Sequence, residues 1–188
     1  MTTMKRKFSL SDSGLSLVEA LIALGLVVSL GALAFPQVLR YWQNYELDSA
    51  TQALSSSLEI ARYTALSKKR NVVVHFYTSS AWYEVFEDNN ANSVKDSGEL
   101  SLGAYTLPRL VRFSGDGLQG PPANPTGPVG DPVTFAGDNV IFNPMGKING
   151  GLGTIYLRND AGDASALSFN MASRLKVYKW SKGNSTWN

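Results

Sequence analysis

The chain is 188 residues long, 17% of them charged, with 17 basic and 15 acidic side chains and no cysteine. That length supports one folded domain with appendages rather than two, and the lack of cysteine excludes a disulfide framework and a thiolate metal site. Lys5, Arg6, Lys7 and Asp12 precede Gly14, and without them 14 basic and 14 acidic side chains remain; a protein-wide attraction to nucleic acid is thereby excluded, and any such binding has to come from a local patch.

The first element is apolar. Leu15 to Phe35 is 21 residues, about 31 Å as a helix at ~1.5 Å per residue, which matches a hydrocarbon core of ~30 Å. Lys5, Arg6 and Lys7 lie in front of it, so the positive-inside bias keeps the amino terminus cytoplasmic and sends everything after Pro36 across. An ordinary signal peptide is one reading, and Ala32-Leu33-Ala34 supplies an A-x-A cleavage pattern. Glu19 argues against it, because a carboxylate inside such a segment costs about 2.5–3.5 kcal/mol on insertion scales and is normally kept for a partner. Gly31 and Pro36 are expected weak points, where the helix curves or melts locally.

Taken together, the basic leader, Gly14, an apolar Leu15, Glu19 and an apolar helix reaching Pro36 resemble the class III leader of type IV pilins and type II secretion pseudopilins. The resemblance implies that a prepilin peptidase cuts after Gly14 and that Leu15, standing where phenylalanine is commoner, becomes an N-methylated first residue. It also implies that Glu19 pairs with the terminal amine of a neighbouring subunit as helices bundle into a filament. Residues 1–14 are then the leader and residues 15–36 the transmembrane and filament-core helix.

Past Pro36, residues Leu47, Ala50, Leu54, Leu58, Ala61 and Ala65 are spaced by three or four, which predicts an amphipathic helix over 37–70. Lys68, Lys69, Arg70 and Asn71 supply cations and a cap at its carboxyl end. The period then changes. Segments 71–77, 81–87, 107–113, 139–144, 153–158, 166–170 and 174–180 are β-branched and aromatic runs separated by Gly, Asn, Asp and Pro, which predicts strands of a mainly antiparallel sheet over 71–188. Tyr77 and Ala81 flank a short hairpin loop, and residues 115–132 read as a long irregular connection. The fold class expected is α+β, a long amino-terminal helix packed on an antiparallel β-sheet head.

That order of elements is similar to the GspH/FimT family of pseudopilins and minor pilins. The stretches "EIARYTALSKKRNVVVHF" from Glu59, "WYEVFEDNNANSVKDSGEL" from Trp82 and "VIFNPMGKINGGLGTIYL" from Val140 carry the likeness. It implies a structural subunit, not an enzyme, with other pilin subunits, the peptidase and the inner membrane as partners and a periplasmic head that later sits on a pilus or pseudopilus, at its tip or in initiation.

Three further candidates stand in the head. His75, the single histidine, has no nucleophile or acid nearby in sequence that would complete a catalytic motif, and reads as a satisfied strand residue. Asp88, Asn90, Asn92, Val94, Asp96 and Glu99 fall at positions one, three, five, seven, nine and twelve of an EF-hand loop, so oxygen ligands could wrap a calcium ion. Against that, Ser93 stands where the turn asks for glycine, and the flanks read as strands; the alternative is a polar hairpin tip. Arg174, Lys176, Lys179 and Lys182 are interleaved with Tyr178, Trp180 and Trp187, with no acid from Ala164 onward. Some FimT-like proteins bind DNA through a carboxyl-terminal Gly-Arg-x-Arg element, and Ser173-Arg174-Leu175-Lys176 stands in its place. Solvated strand charges are the competing reading, since four cations give modest, salt-sensitive affinity.

Overall fold

The computed structural model describes residues 16–123, 127–170, 172–183 and 185–188. Helix α1 runs over Leu17–Lys68, and contacts divide the chain into two units, Met1–Leu39 and Arg40–Asn188. In the first, the helix is unbroken through Gly31 and Pro36, so of the expected curvature or local melting, melting does not occur. A proline removes one backbone donor, and the hydrogen bonds of the turns on either side carry the helix past it. Its leucine and valine side chains are exposed, and it is long and apolar enough to cross a membrane.

The second unit is built on the rest of α1. The six residues spaced by three and four are all buried, together with Thr51 and Ser57; the two hydroxyls return hydrogen bonds to the carbonyls of Leu47 and Ala53 and so remain satisfied in the core. The helix ends at Lys68, two residues short of the expected 70, and the turn out of it is made by Lys69, left-handed at φ 56°, and not by Asn71, which already begins a strand.

Among the described residues ten strands follow: β1 Asn71–Tyr77, β2 Trp82–Asp88, β3 Ser101–Thr106, β4 Val111–Phe113, β5 Asn139–Phe142, β6 Ile148–Asn149, β7 Thr154–Asn159, β8 Ala164–Phe169, β9 Leu175–Ser181 and β10 Thr186–Trp187. They form two five-stranded sheets, ordered β3-β2-β1-β5-β6 and β10-β9-β8-β7-β4, with every pairing antiparallel. Where one sheet was expected, two share a core. Val72, Val74 and Phe76 of the first, Ile155, Leu157 and Leu167 of the second, and Leu54 and Leu58 of α1 belong to one apolar cluster. Burying each such side chain contributes about 1.5–3 kcal/mol.

Residues 107–110 were expected to be strand and are not. Leu107 is buried and its N–H bonds Ala81 O, but Pro108 then opens a turn closed by Val111 N–H to Pro108 O. The long connection is irregular as expected, and it covers the far side of the second sheet, where Leu118 and Val129 pack with Tyr156, Ala166 and Tyr178 in a smaller cluster.

Candidate functional site

Gly14 and Leu15 lie outside the described residues. Helix α1 starts just beyond them, and the Glu19 N–H donates to Ser16 Oγ at 3.3 Å. Ser16 is therefore an N-cap, and Ser16-Leu17-Val18-Glu19 is a capping-box sequence. Sequence reasoning passed over this signal, although serine followed three residues later by glutamate ahead of an apolar run was visible. Of the two reciprocal bonds that define the box, the one donated to the serine is formed; the carboxylate makes none to Ser16 among the described residues. Glu19 is exposed, and Pro36 lies inside the helix.

The loop from Asp88 to Glu99 joins β2 to β3, and it gathers the side chains that the spacing singled out. Asp88, 2% exposed, takes the N–H groups of Asn92 on Oδ1 at 3.1 Å and of Ser93 on Oδ2 at 3.0 Å. Asn90 and Asn92 both donate from Nδ2 to Asp96 Oδ2, at 2.7 and 2.9 Å. Glu99 closes the ring, accepting the N–H of Asn89 at 2.7 Å and of Asp96 at 3.1 Å. Ser93 has φ 63°: the serine adopts the left-handed turn for which glycine is normally required. The flanks are strands.

Charge distinguishes Asp88 from its neighbours on β2. Glu84, 6% exposed, is met by Lys95 Nζ at 3.0 Å and by the Tyr77 hydroxyl at 2.8 Å, and that hydrogen bond, after burial, pushes the Tyr77 hydroxyl above its ordinary value. Glu87, 4% exposed, is met by Lys68 and, at 3.9 Å, by Arg70. Asp88 is held by backbone donors alone, with no cationic partner among the described residues. No three His, Asp or Glu side chains converge as metal ligands among the described residues. A cation here would need the Asn90 and Asn92 amide oxygens and the Val94 carbonyl as well as Asp88, Asp96 and Glu99. That donor set is all oxygen, as calcium requires, and both amides would have to turn from their present bonds.

Of the basic residues near the carboxyl end, Lys176 and Lys179 do not share a surface. Three positions apart on one strand, Lys176 and Lys179 point to opposite faces: Lys176 lies over the Tyr178 ring at 4.7 Å, whereas Lys179 pairs with Asp48 of α1 at 2.7 Å. Ser173 is a turn residue, 5% exposed with φ 54°; its Oγ accepts Ile148 N–H, and its carbonyl accepts from Arg62. The glycine of the Gly-Arg-x-Arg pattern thus has its conformational equivalent, but the lysines after it are spent on a ring and an aspartate. Arg174 and Lys182 are exposed. His75 donates from Nδ1 to Asn139 Oδ1 at 2.6 Å and meets the Tyr77 ring edge-on at 4.4 Å, a satisfied strand residue as expected.

An amino-terminal helix of membrane grade and a second helical segment packed on antiparallel sheets define a pilin-like protein. The family model described as type II transport protein GspH matches residues 50–173, which spans α1 from Ala50 through β8. The chain belongs to the GspH family. Among solved structures it is similar to the minor pseudopilin EpsH from the type 2 secretion system of Vibrio cholerae, at 10% identity and a TM-score of 0.47, over 70% of this chain and 95% of that one. No curated protein matches.

Proposed function

We propose that this chain is a minor pseudopilin: a structural subunit that prepilin peptidase processes after Gly14, and that joins a type II secretion pseudopilus, or a related type IV pilus, at the tip or in initiation. It starts in the inner membrane with its head in the periplasm. The observation that carries the reading is the helix over 17–39, whose leucine and valine side chains are exposed among the described residues and which is long and apolar enough to cross a membrane. In the membrane lipid covers them, and in a filament the helices of other subunits do. Glu19 then neutralises the new terminal amine of a neighbour, since an ion pair offsets the desolvation of a lone carboxylate in lipid. Terminal sequencing and intact mass of the membrane form should give N-methylated Leu15 as the first residue. A first residue of Phe35, as the A-x-A reading demands, would overturn it.

The loop from Asp88 to Glu99 supports a second proposal, that the head binds calcium. It rests on the buried Asp88, which has no cationic partner among the described residues, and on the oxygen ligands that Asn90, Asn92, Val94, Asp96 and Glu99 offer in the same loop; thermal denaturation of the head with and without calcium tests it.

A further inference from the structure

Four strands form the edges of the two sheets, and three of them are short. β6 and β10 are two residues long; β4 has three, with Arg112 tied to Asp160 at 2.5 Å. Short and charged edges are how native sheets avoid pairing with other chains. β3 has neither protection. Ser101-Leu102-Gly103-Ala104-Tyr105-Thr106 is six residues long, without charge or proline, and only partly buried.

The register decides which of its backbone groups are free. Leu107 N–H bonds Ala81 O at 2.9 Å, so in the antiparallel ladder the pairs Tyr83–Tyr105 and Val85–Gly103 exchange hydrogen bonds, while Trp82–Thr106 and Glu84–Ala104 do not. The N–H and C=O groups of Ala104 and Thr106 therefore point away from β2, and no described residue bonds them. Beside this edge lies a recess of about 340 Å³ lined by Ala50, Ala53, Tyr83, Ala104 and Tyr105, with Tyr105 stacked on Tyr83 at 5.2 Å.

We propose that β3 is a strand-addition site, taking an extended, uncharged segment of another subunit of the same filament as a sixth strand. Free N–H and C=O groups at alternate residues are complemented by a strand, and the recess takes one of its side chains. A second copy of this chain fits less well: two β3 edges face to face make a closed two-fold pair, whereas filament contacts repeat head to tail. This inference rests on the filament reading.

The test uses the full chain in cells that carry the other filament subunits. A photoreactive residue at position 104 should crosslink to a filament subunit, with the adduct mapping to an extended segment, while one at Asn149 on the opposite edge should not. Ala104→Pro removes an N–H that β2 does not use, and prolines are tolerated at such edge positions. It should enter sheared filaments about tenfold less than wild type, with the melting temperature held. Ala104→Val keeps the N–H and should enter normally. Normal entry of Ala104→Pro, equal crosslinking from both edges, or an adduct only with a second copy overturns the site. Wild-type chain missing from sheared filaments counts against the filament reading instead, and the position 104 crosslink then decides the edge by its presence or absence.

Discussion

Asp88→Ala tests the loop at its most buried point. Asp88 Oδ1 and Oδ2 hold the N–H groups of Asn92 and Ser93; Asn92 N–H keeps a second acceptor, Asn90 Oδ1 at 3.2 Å, so Ser93 N–H is the donor left stripped. Ser93 is only half-buried, so the loss falls at the low end of the roughly 1–3 kcal/mol that a fully buried orphaned donor costs. For a head the size of residues 40–188, each kcal/mol moves the melting temperature by about 2–4 °C, which gives a fall of about 2–4 °C in chelator for a loss of ~1 kcal/mol. Calcium adds a second, separable effect. A ligand at about 100 times its dissociation constant stabilises the native state by about 2.7 kcal/mol, or roughly 5–11 °C. The assay is thermal denaturation of the head, residues 40–188, in chelator and up to about 10 mM calcium, which reaches that ratio for a site at the tight end of the extracellular range. Wild type should gain the calcium shift. Asp88→Ala should lose both terms, and Asp88→Asn should keep most of the first while losing the second. An Asp88→Ala head that melts with wild type in chelator refutes the capping role, and a wild-type head that ignores millimolar calcium refutes the ion site.

Other outcomes follow from the packing and from Asp138. Leu54→Ala, at a residue 0% exposed between α1 and the sheets, should cost about 2–5 kcal/mol by chemical denaturation; a loss below about 1 kcal/mol would mean that this helix face is not core. Burial first, and the Asp131 carboxylate second, raise the Asp138 carboxyl above its ordinary 3.8, with His75 opposing. The folded state thus favours the protonated form: its contribution is full below pH 3.8 and is lost as pH rises through the raised folded value. Asp138→Asn should therefore melt higher than wild type at neutral pH, with the gap closing as the pH is lowered, and a gap that does not change with pH contradicts the assignment.

The helical face of the head was legible because its six apolar positions repeat every three or four residues, and each is buried. β1 was legible for a similar reason, three consecutive valines followed by aromatics. β3 was not. Its residues are small or only partly buried, and the strand is held mainly by backbone pairing to β2, which leaves little trace in side-chain pattern. The reverse error occurred at 107–110, where Leu107 is apolar because it reaches the core, not because the chain is extended in a ladder. In the loop from Asp88 to Glu99, the oxygen-ligand spacing was readable but the turn was not: Ser93 adopts a positive φ that its identity does not advertise. The scattering of Lys176 and Lys179 onto opposite faces followed from strand alternation and could have been read in advance; the pairing of Lys179 with Asp48, far away in sequence, could not.

The central claim is that Glu19 is kept for its charge, to join one filament subunit to the next. The structure supplies its rival, since Ser16 and Glu19 begin a capping box, in which glutamine serves as well as glutamate. Glu19→Gln separates the two. The measurement is the amount of each variant in sheared filaments, relative to total membrane protein and with cleavage after Gly14 checked by mass. The ion-pair account predicts that Glu19→Gln is cleaved and inserted normally and fails to assemble, as Glu19→Ala does; a Glu19→Gln chain that assembles like wild type while Glu19→Ala fails, or normal assembly of both, contradicts it.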